Sequence, residues 1–207
     1  MEDNNLQHAQ RNNGASRFYG LLIPLILLIM TTGASSSGEA VLRIAVPVYP
    51  DNLNPVYTSD ETSQAVVNKI YHGLFNYDPQ GRLVNELAAG WDLLPGGVRI
   101  QLKRGFYFSD GRELSAVDVI ATLRLLRNPD FGYPFQSGLE FIAELREEAD
   151  DLLLLRFREE FAPWRSYLTC KIMSAREISD LNPIEFRKRQ PRGSGPFMLN
   201  ETREPTR

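Results

Sequence analysis

The chain has little with which to build a metal cluster or a thiol site. Its 207 residues include one cysteine, Cys170, and two histidines, His8 and His72. A single cysteine excludes an intrachain disulfide and a thiolate cluster, and two distant histidines exclude a His-rich zinc site and most imidazole-dependent catalysis. A positive excess is lacking as well. Lys+Arg number 23 against 26 Asp+Glu, a formal net charge of −3, which argues against a nucleic-acid partner. No G-x-S-x-G, no H-E-x-x-H and no paired Cys/His motif occurs, so the common signatures of an activated nucleophile or a hydrolytic metal are missing. Internal repeats, heptads and low-complexity tracts are absent too.

What is present suits a folded, exported chain. Hydrophobic residues make up 43% and charged residues 24%, enough apolar material for one domain or two small ones. Near the N-terminus, a polar stretch with Arg11 and Arg17 precedes an apolar run from Phe18 to Met30. The run is short of the roughly 18–20 residues that cross a bilayer as a helix. Small residues follow from Thr31 to Ala40. Positive flank, apolar stretch and small-residue exit are the parts of a secretory signal peptide, with mature chain starting near Ser35 or Val41. An uncleaved anchor over Phe18–Ala34 is the other reading of residues 1–40. No cysteine stands at the exit to carry a lipid, and Arg11 and Arg17 are too far apart for a twin-arginine signal. On both readings residues 41–207 face the outside of a membrane.

Turn chemistry and periodicity divide the remainder. Leu42–Val46 alternates as a first strand. Thr58 and Glu61 fit a capping box, predicting a helix over 59–72 that ends at Gly73. Asp78-Pro-Gln-Gly81 and Pro95-Gly-Gly97 are turns, and Val98–Leu102 alternates as a half-buried strand. Ser109-Asp-Gly111 turns the chain again. Ser115 and Asp118 open a second helix with Val119, Leu123 and Leu126 on one face. Asn128–Pro134 is an aromatic loop rich in breakers. Phe141–Glu147 and Leu152–Arg158 form a hairpin around Ala149-Asp-Asp151, and a Pro163-led helix spans Trp164–Leu168. Gly193-Ser-Gly-Pro196 is a tight turn. Trp91, Phe106, Phe108 and Leu123 are expected together in the core. The class is mixed α/β, with short strands in hairpins and a few helices.

Several phrases together carry a resemblance. Leu53-Asn-Pro55, a helix, then Tyr71-His-Gly-Leu74 is similar to an "LDP … YEGL" opening. Leu83-Val-Asn-Glu-Leu-Ala-Ala-Gly-Trp91 resembles "P-x-LA-x-SW". Ile100–Gly111 resembles "F-x-LR-x-GVKFSDG", Leu114–Val119 resembles "LTADDV", and Gly193–Phe197 resembles "GTGPY". In this order, over about residues 42–199, they resemble the N-terminal portion of extracytoplasmic solute-binding proteins of family 5, the peptide/nickel class that feeds ABC importers. His72 departs from the pattern, standing where the family usually has an acid.

The resemblance implies a periplasmic-binding-protein-like (type II) lobe that is incomplete, because residues 41–207 match only the N-terminal part of the family 5 domain and the second lobe and return segment are absent. It implies a substrate-binding component without cofactor or catalysis, located in the periplasm or on the extracellular face. Its expected partners are a small peptide or similar solute and ABC permease subunits, with no nucleic acid. Other readings of the chain are a non-functional remnant, a membrane-tethered half-lobe that only interacts, and an exported hydrolase.

The ligand contacts are expected first at Tyr57, Thr58, Ser59, Asp60 and Glu61. An extended segment before a helix offers free N–H groups and a positive dipole end, and the resemblance places this loop beside the ligand. Simple helix capping by Thr58 and Glu61 is the competing role. Tyr133 and Gln136, in the breaker-rich loop, contact ligand or cover the lobe. His72 reads as a satisfied helix-end histidine and Cys170 as a small buried apolar residue. Asp150-Asp151 reads as a solvated turn.

Overall fold

The computed structural model describes residues 46, 48–179, 182–189 and 192–199. The apolar run and nearly all of the expected strand Leu42–Val46 lie outside these residues. Val46 itself is exposed and belongs to no strand. Among the described residues, no helix is long and apolar enough to cross a membrane.

The first helix, α1 (Glu61–Ile70), starts at a different cap from the one its sequence suggested. Asp60, not Thr58, is the N-cap, and its carboxylate accepts the Ser63 N–H at 2.8 Å. Thr58 is buried, and its hydroxyl donates instead to the Asn54 carbonyl at 2.8 Å. An ionised carboxylate directly before the first turn is the better acceptor for N–H groups at the positive helix end. The helix also stops short of Gly73, because Tyr71 is already extended. Gly73 forms a bridge with Lys171. A Cβ there would lie 2.9 Å from the Phe75 carbonyl oxygen and 3.0 Å from two others, so this is a close backbone approach and not a helix stop.

Strands β1 (Phe75–Tyr77) and β2 (Leu83–Asn85) pair across the Asp78–Gly81 turn. Asp78 Oδ1 accepts the N–H groups of Gln80 and Arg82, each at 2.9 Å. Four further strands follow: β3 (Ala88–Leu94), β4 (Gly97–Leu102), β5 (Ile142–Ala149) and β6 (Leu152–Phe157). They form an antiparallel sheet in the order β3-β4-β6-β5. Val98 lies opposite Leu155 and Ile100 opposite Leu153. Directly opposed residues share a face, and all four are buried there. The outer strand β5 departs from regular register twice, between Ile142 and Glu144 and between Glu147 and Ala149.

The second helix, α2 (Ala116–Arg127), buries Val119, Leu123 and Leu126, the face its spacing marked out, and packs on β5 and β6. Its start is built around Asp118, which is fully buried. Asp118 accepts the Ser115 N–H at 2.9 Å, two bonds from Arg112 at 2.5 and 3.0 Å, and the N–H of Ala175 at 2.8 Å. Ala175 opens α3 (Ala175–Ile178), so one carboxylate joins two helices and a loop. The turn at Asp150-Asp151 contributes as well. Its carbonyls accept the N–H groups of Ala116 and Leu102, each at 2.7 Å.

Two core expectations need correcting. Phe108 and Leu123 are buried, whereas Trp91 and Phe106 are only partly so. The Trp91 ring packs on Phe75 and Trp164 at centroid distances of 5.7 and 5.9 Å, with the Arg165 guanidinium over it at 4.7 Å. Trp164 takes the buried place. The expected helix Trp164–Leu168 is only a 3-10 turn at Ser166–Leu168. The Pro163 carbonyl is taken by both the N–H and the hydroxyl of Ser166, which closes the turn locally. A short helix, α4 (Pro183–Arg187), follows, capped by Asn182.

The Gly193–Pro196 segment lies against the end of α1. Gly195 N–H donates to the Ile70 carbonyl at 2.7 Å and Phe197 N–H to the Lys69 carbonyl at 3.2 Å. It therefore satisfies orphan carbonyls at the helix C-terminus.

Candidate ligand cavity

A cavity of about 530 Å³ opens where four stretches of chain meet. Pro55, Val56 and Thr58 come from the segment before α1, and Gln64, Val67 and Asn68 from the helix itself. Asn76 and Tyr77 come from β1, and Tyr133–Phe135 from the loop after α2. Ser166–Lys171 supplies the last wall through Ser166, Tyr167 and Thr169–Lys171. The lining mixes amides and hydroxyls with aromatic rings, the composition of a site that orients a polar solute on an apolar bed. Tyr77, Phe135 and Tyr167 are about half exposed at 51%, 64% and 45%.

Of the seven residues picked out in the sequence, the structure brings Thr58 and Tyr133 to this cavity. Burial pushes the Tyr133 hydroxyl well above the ordinary range, so it is a neutral donor. Asp60 caps α1, and Ser59 and Glu61 are exposed beside it. The Tyr57 ring turns away, packing on Phe186 at 6.0 Å and under the Arg187 guanidinium at 4.2 Å. Gln136 lines a separate groove of about 450 Å³ with Arg127, Glu140 and Arg158, and its side-chain amide donates to the Arg127 carbonyl at 2.8 Å.

Asn76, Cys170 and Lys171 were not singled out as ligand contacts in the sequence, and all three line the cavity. Nothing local marks them. Lys171 reaches the cavity only because its backbone bridges to Gly73 and the Ile172 N–H donates to the His72 carbonyl at 2.8 Å. Burial pushes the half-buried Cys170 thiol up to about 12, so it stays protonated. Lys171 stands 3.7 Å from Glu86. Burial draws its ammonium below the usual lysine range, with Glu86 opposing. His72, next to this wall, has Nδ1 3.3 Å from the Ser194 hydroxyl and its ring edge-on to Phe106 at 4.8 Å.

Comparison with known families decides the kinship. The family model for bacterial extracellular solute-binding proteins, family 5 Middle, matches residues 82–206, more than half the chain. The chain belongs to this family. The oligopeptide-binding protein AppA of Bacillus subtilis (strain 168) is 27% identical over 164 residues, which is 75% of this chain and 30% of AppA. The glutathione-binding protein GsiB of Salmonella choleraesuis (strain SC-B67) is 39% identical over 80 residues, 38% of this chain and 16% of GsiB.

Among solved structures, NikZ from Campylobacter jejuni in complex with Ni(L-His) superposes with a TM-score of 0.68 at 21% identity, covering 77% of this chain and 32% of NikZ. AppA of Bacillus subtilis bound to a nonapeptide gives 0.67 at 24% identity, covering 73% and 32%. The fold is therefore part of a lobe of a type II periplasmic binding protein, mixed α/β as expected. The chain spans about a third or less of the length of these relatives. Members of this family are bacterial extracellular solute-binding proteins.

Proposed function

We propose that the chain forms one wall of a receptor that captures a small peptide or comparable solute outside the membrane and delivers it to the permease subunits of an ABC importer. No bond of the solute is made or broken. The cavity of Thr58, Asn76, Tyr133 and Lys171 carries the reading. It is a preformed recess on a lobe fold shared with proteins whose names record oligopeptide, glutathione and nickel–histidine binding. In this proposal Thr58 and Tyr133 face the solute. Tyr57, Ser59, Asp60 and Glu61 set the entry to α1, and Gln136 fixes the Tyr133 loop. Residues 1–40 serve as the signal peptide or anchor and residues 41–207 as the N-terminal part of the binding domain. The apolar run Phe18–Met30 and the extracellular placement of the family support that division.

Peptide backbones suit the cavity because amide and hydroxyl side chains pair with them without reading sequence. The test is an NMR titration of the full chain with a mixture of tripeptides. Saturable shifts confined to Thr58, Asn76, Tyr133 and their neighbours are expected. Shifts elsewhere, or none, would overturn the proposal.

A further inference from the structure

We propose that Lys171 makes one wall of the cavity a carboxylate-binding subsite, so that the solute carries a free carboxylate, such as a peptide C-terminus. This inference rests on reading the cavity as the ligand site.

Charge is distributed unevenly around the recess. Among the described residues that line it there is no aspartate or glutamate, and Lys171 is the only lysine or arginine. A free cation finds no counter-charge in that lining. An anion finds one ammonium. Lys171 is held in an unusual state for that role. Its side chain is only 10% exposed, and its Nζ is buried without a hydrogen-bond partner. Leaving a buried ammonium with its N–H groups unpaired is unfavourable.

Glu86 is the nearest anion, and it has two other donors. One of its oxygens accepts the Gly73 N–H at 2.6 Å and the other accepts Asn76 Nδ2 at 3.2 Å. The Lys171 ammonium stands 3.7 Å away, close enough for Coulomb attraction but too far for a good hydrogen bond. The flexible four-carbon stem can turn Nζ toward the recess at the cost of the 3.7 Å ion pair, while Glu86 keeps its Gly73 and Asn76 donors. A ligand carboxylate would give the ammonium the charge-assisted bonds it now lacks. The groups facing Lys171 are Glu86, which favours its charged form, and Cys170, held protonated by burial. His72 stands close enough to feel its charge.

The test compares tri-alanine with tri-alanine amide, which differ only in the terminal carboxylate, by NMR titration of the full chain. The acid is expected to bind about tenfold more tightly than the amide. It should also move the Lys171 Cε resonance, which the amide leaves in place. Lys171→Met should abolish the preference and Lys171→Arg should keep it. Equal binding of the two peptides by the wild type, or a preference that survives Lys171→Met, overturns the carboxylate subsite while leaving the cavity reading intact. No cavity shift with either peptide overturns both. Should Lys171→Met fail to fold, the wild-type acid/amide ratio and the Cε resonance decide the matter without it.

Discussion

Asp118 shows how one residue can be legible and still under-read. The Ser115–Asp118 spacing marked a helix start, and the start is there. The sequence did not show that the same carboxylate also holds Arg112 and the N–H of Ala175, 57 positions away. A fully buried carboxylate satisfied by five donors becomes a liability when its partners are left alone. Asp118→Ala is expected to cost about 3–5 kcal/mol in denaturant melts. The pair Arg112→Met/Asp118→Leu should cost less than that single change, because no uncompensated charge remains. A double mutant worse than the single would show that geometry and not charge pairing is what matters there.

His72 carries a pH dependence of definite sign. Burial, opposed by Glu86, holds its pKa below the ordinary 6.5. The unfolded chain therefore takes up the proton first as pH falls. Stability from this residue is complete above about pH 6.5, declines between that value and the lowered folded one, and is level below it. The melting temperature should fall from pH 7.5 to pH 5 by more in the wild type than in His72→Gln. Equal slopes would mean that the ring is solvated.

At the scale of elements, hairpins were the readable part. Asp78–Gly81, Pro95–Gly97 and Ala149–Asp151 each join strands a few residues away, and left-handed glycines stand at Gly81 and Gly96 with φ of 74° and 68°. Such turns are decided by residues that lie within them. Helix ends were less readable, since Thr58 and Asp60 both fit a cap, and it is the charge of Asp60 together with the tertiary burial of Thr58 that separates them. The Gly193–Pro196 segment was legible as breakers, but not as the cap of a helix that ends at Ile70, far back in the chain. A Cβ on Gly193 would fall 1.9 Å from the Ile70 carbonyl oxygen. Gly193→Ala should therefore cost more than about 2 kcal/mol and speed amide exchange in the last turn of α1. Gly90→Ala, with open space around the new methyl, should be neutral or slightly stabilising.

For the whole molecule, family and fold were readable from ordered phrases, while the cavity was not. Its walls come from four stretches that the sheet and α1 bring together, and periodicity says nothing about which loops meet. Thr58 and Tyr133, singled out because a segment before a helix and an aromatic loop are common contact sites, do line the cavity. Asn76 and Lys171 look like ordinary strand and loop residues until folded. One wall contributes only a few hydrogen bonds, each worth about 0.5–1.5 kcal/mol where water competes, against several lost on association. The chain is expected to bind peptides with Kd near 1 mM, and no tighter than about 100 µM. Fusion to the AppA region beyond the matched part should tighten binding. Micromolar, stoichiometric binding in calorimetry by the chain alone would mean that this wall suffices.

The outer strand β5 has a further consequence for how the lobe behaves at high protein concentration. Its exposed positions carry Glu144, Arg146, Glu147 and Glu148, and its two register shifts kink it at either end. A passing strand from a second copy would have to desolvate those charges and match an uneven ladder. The irregular, charged rim thus guards this edge of the sheet against pairing edge to edge into fibrils, which a smooth, apolar strand in the same place would invite.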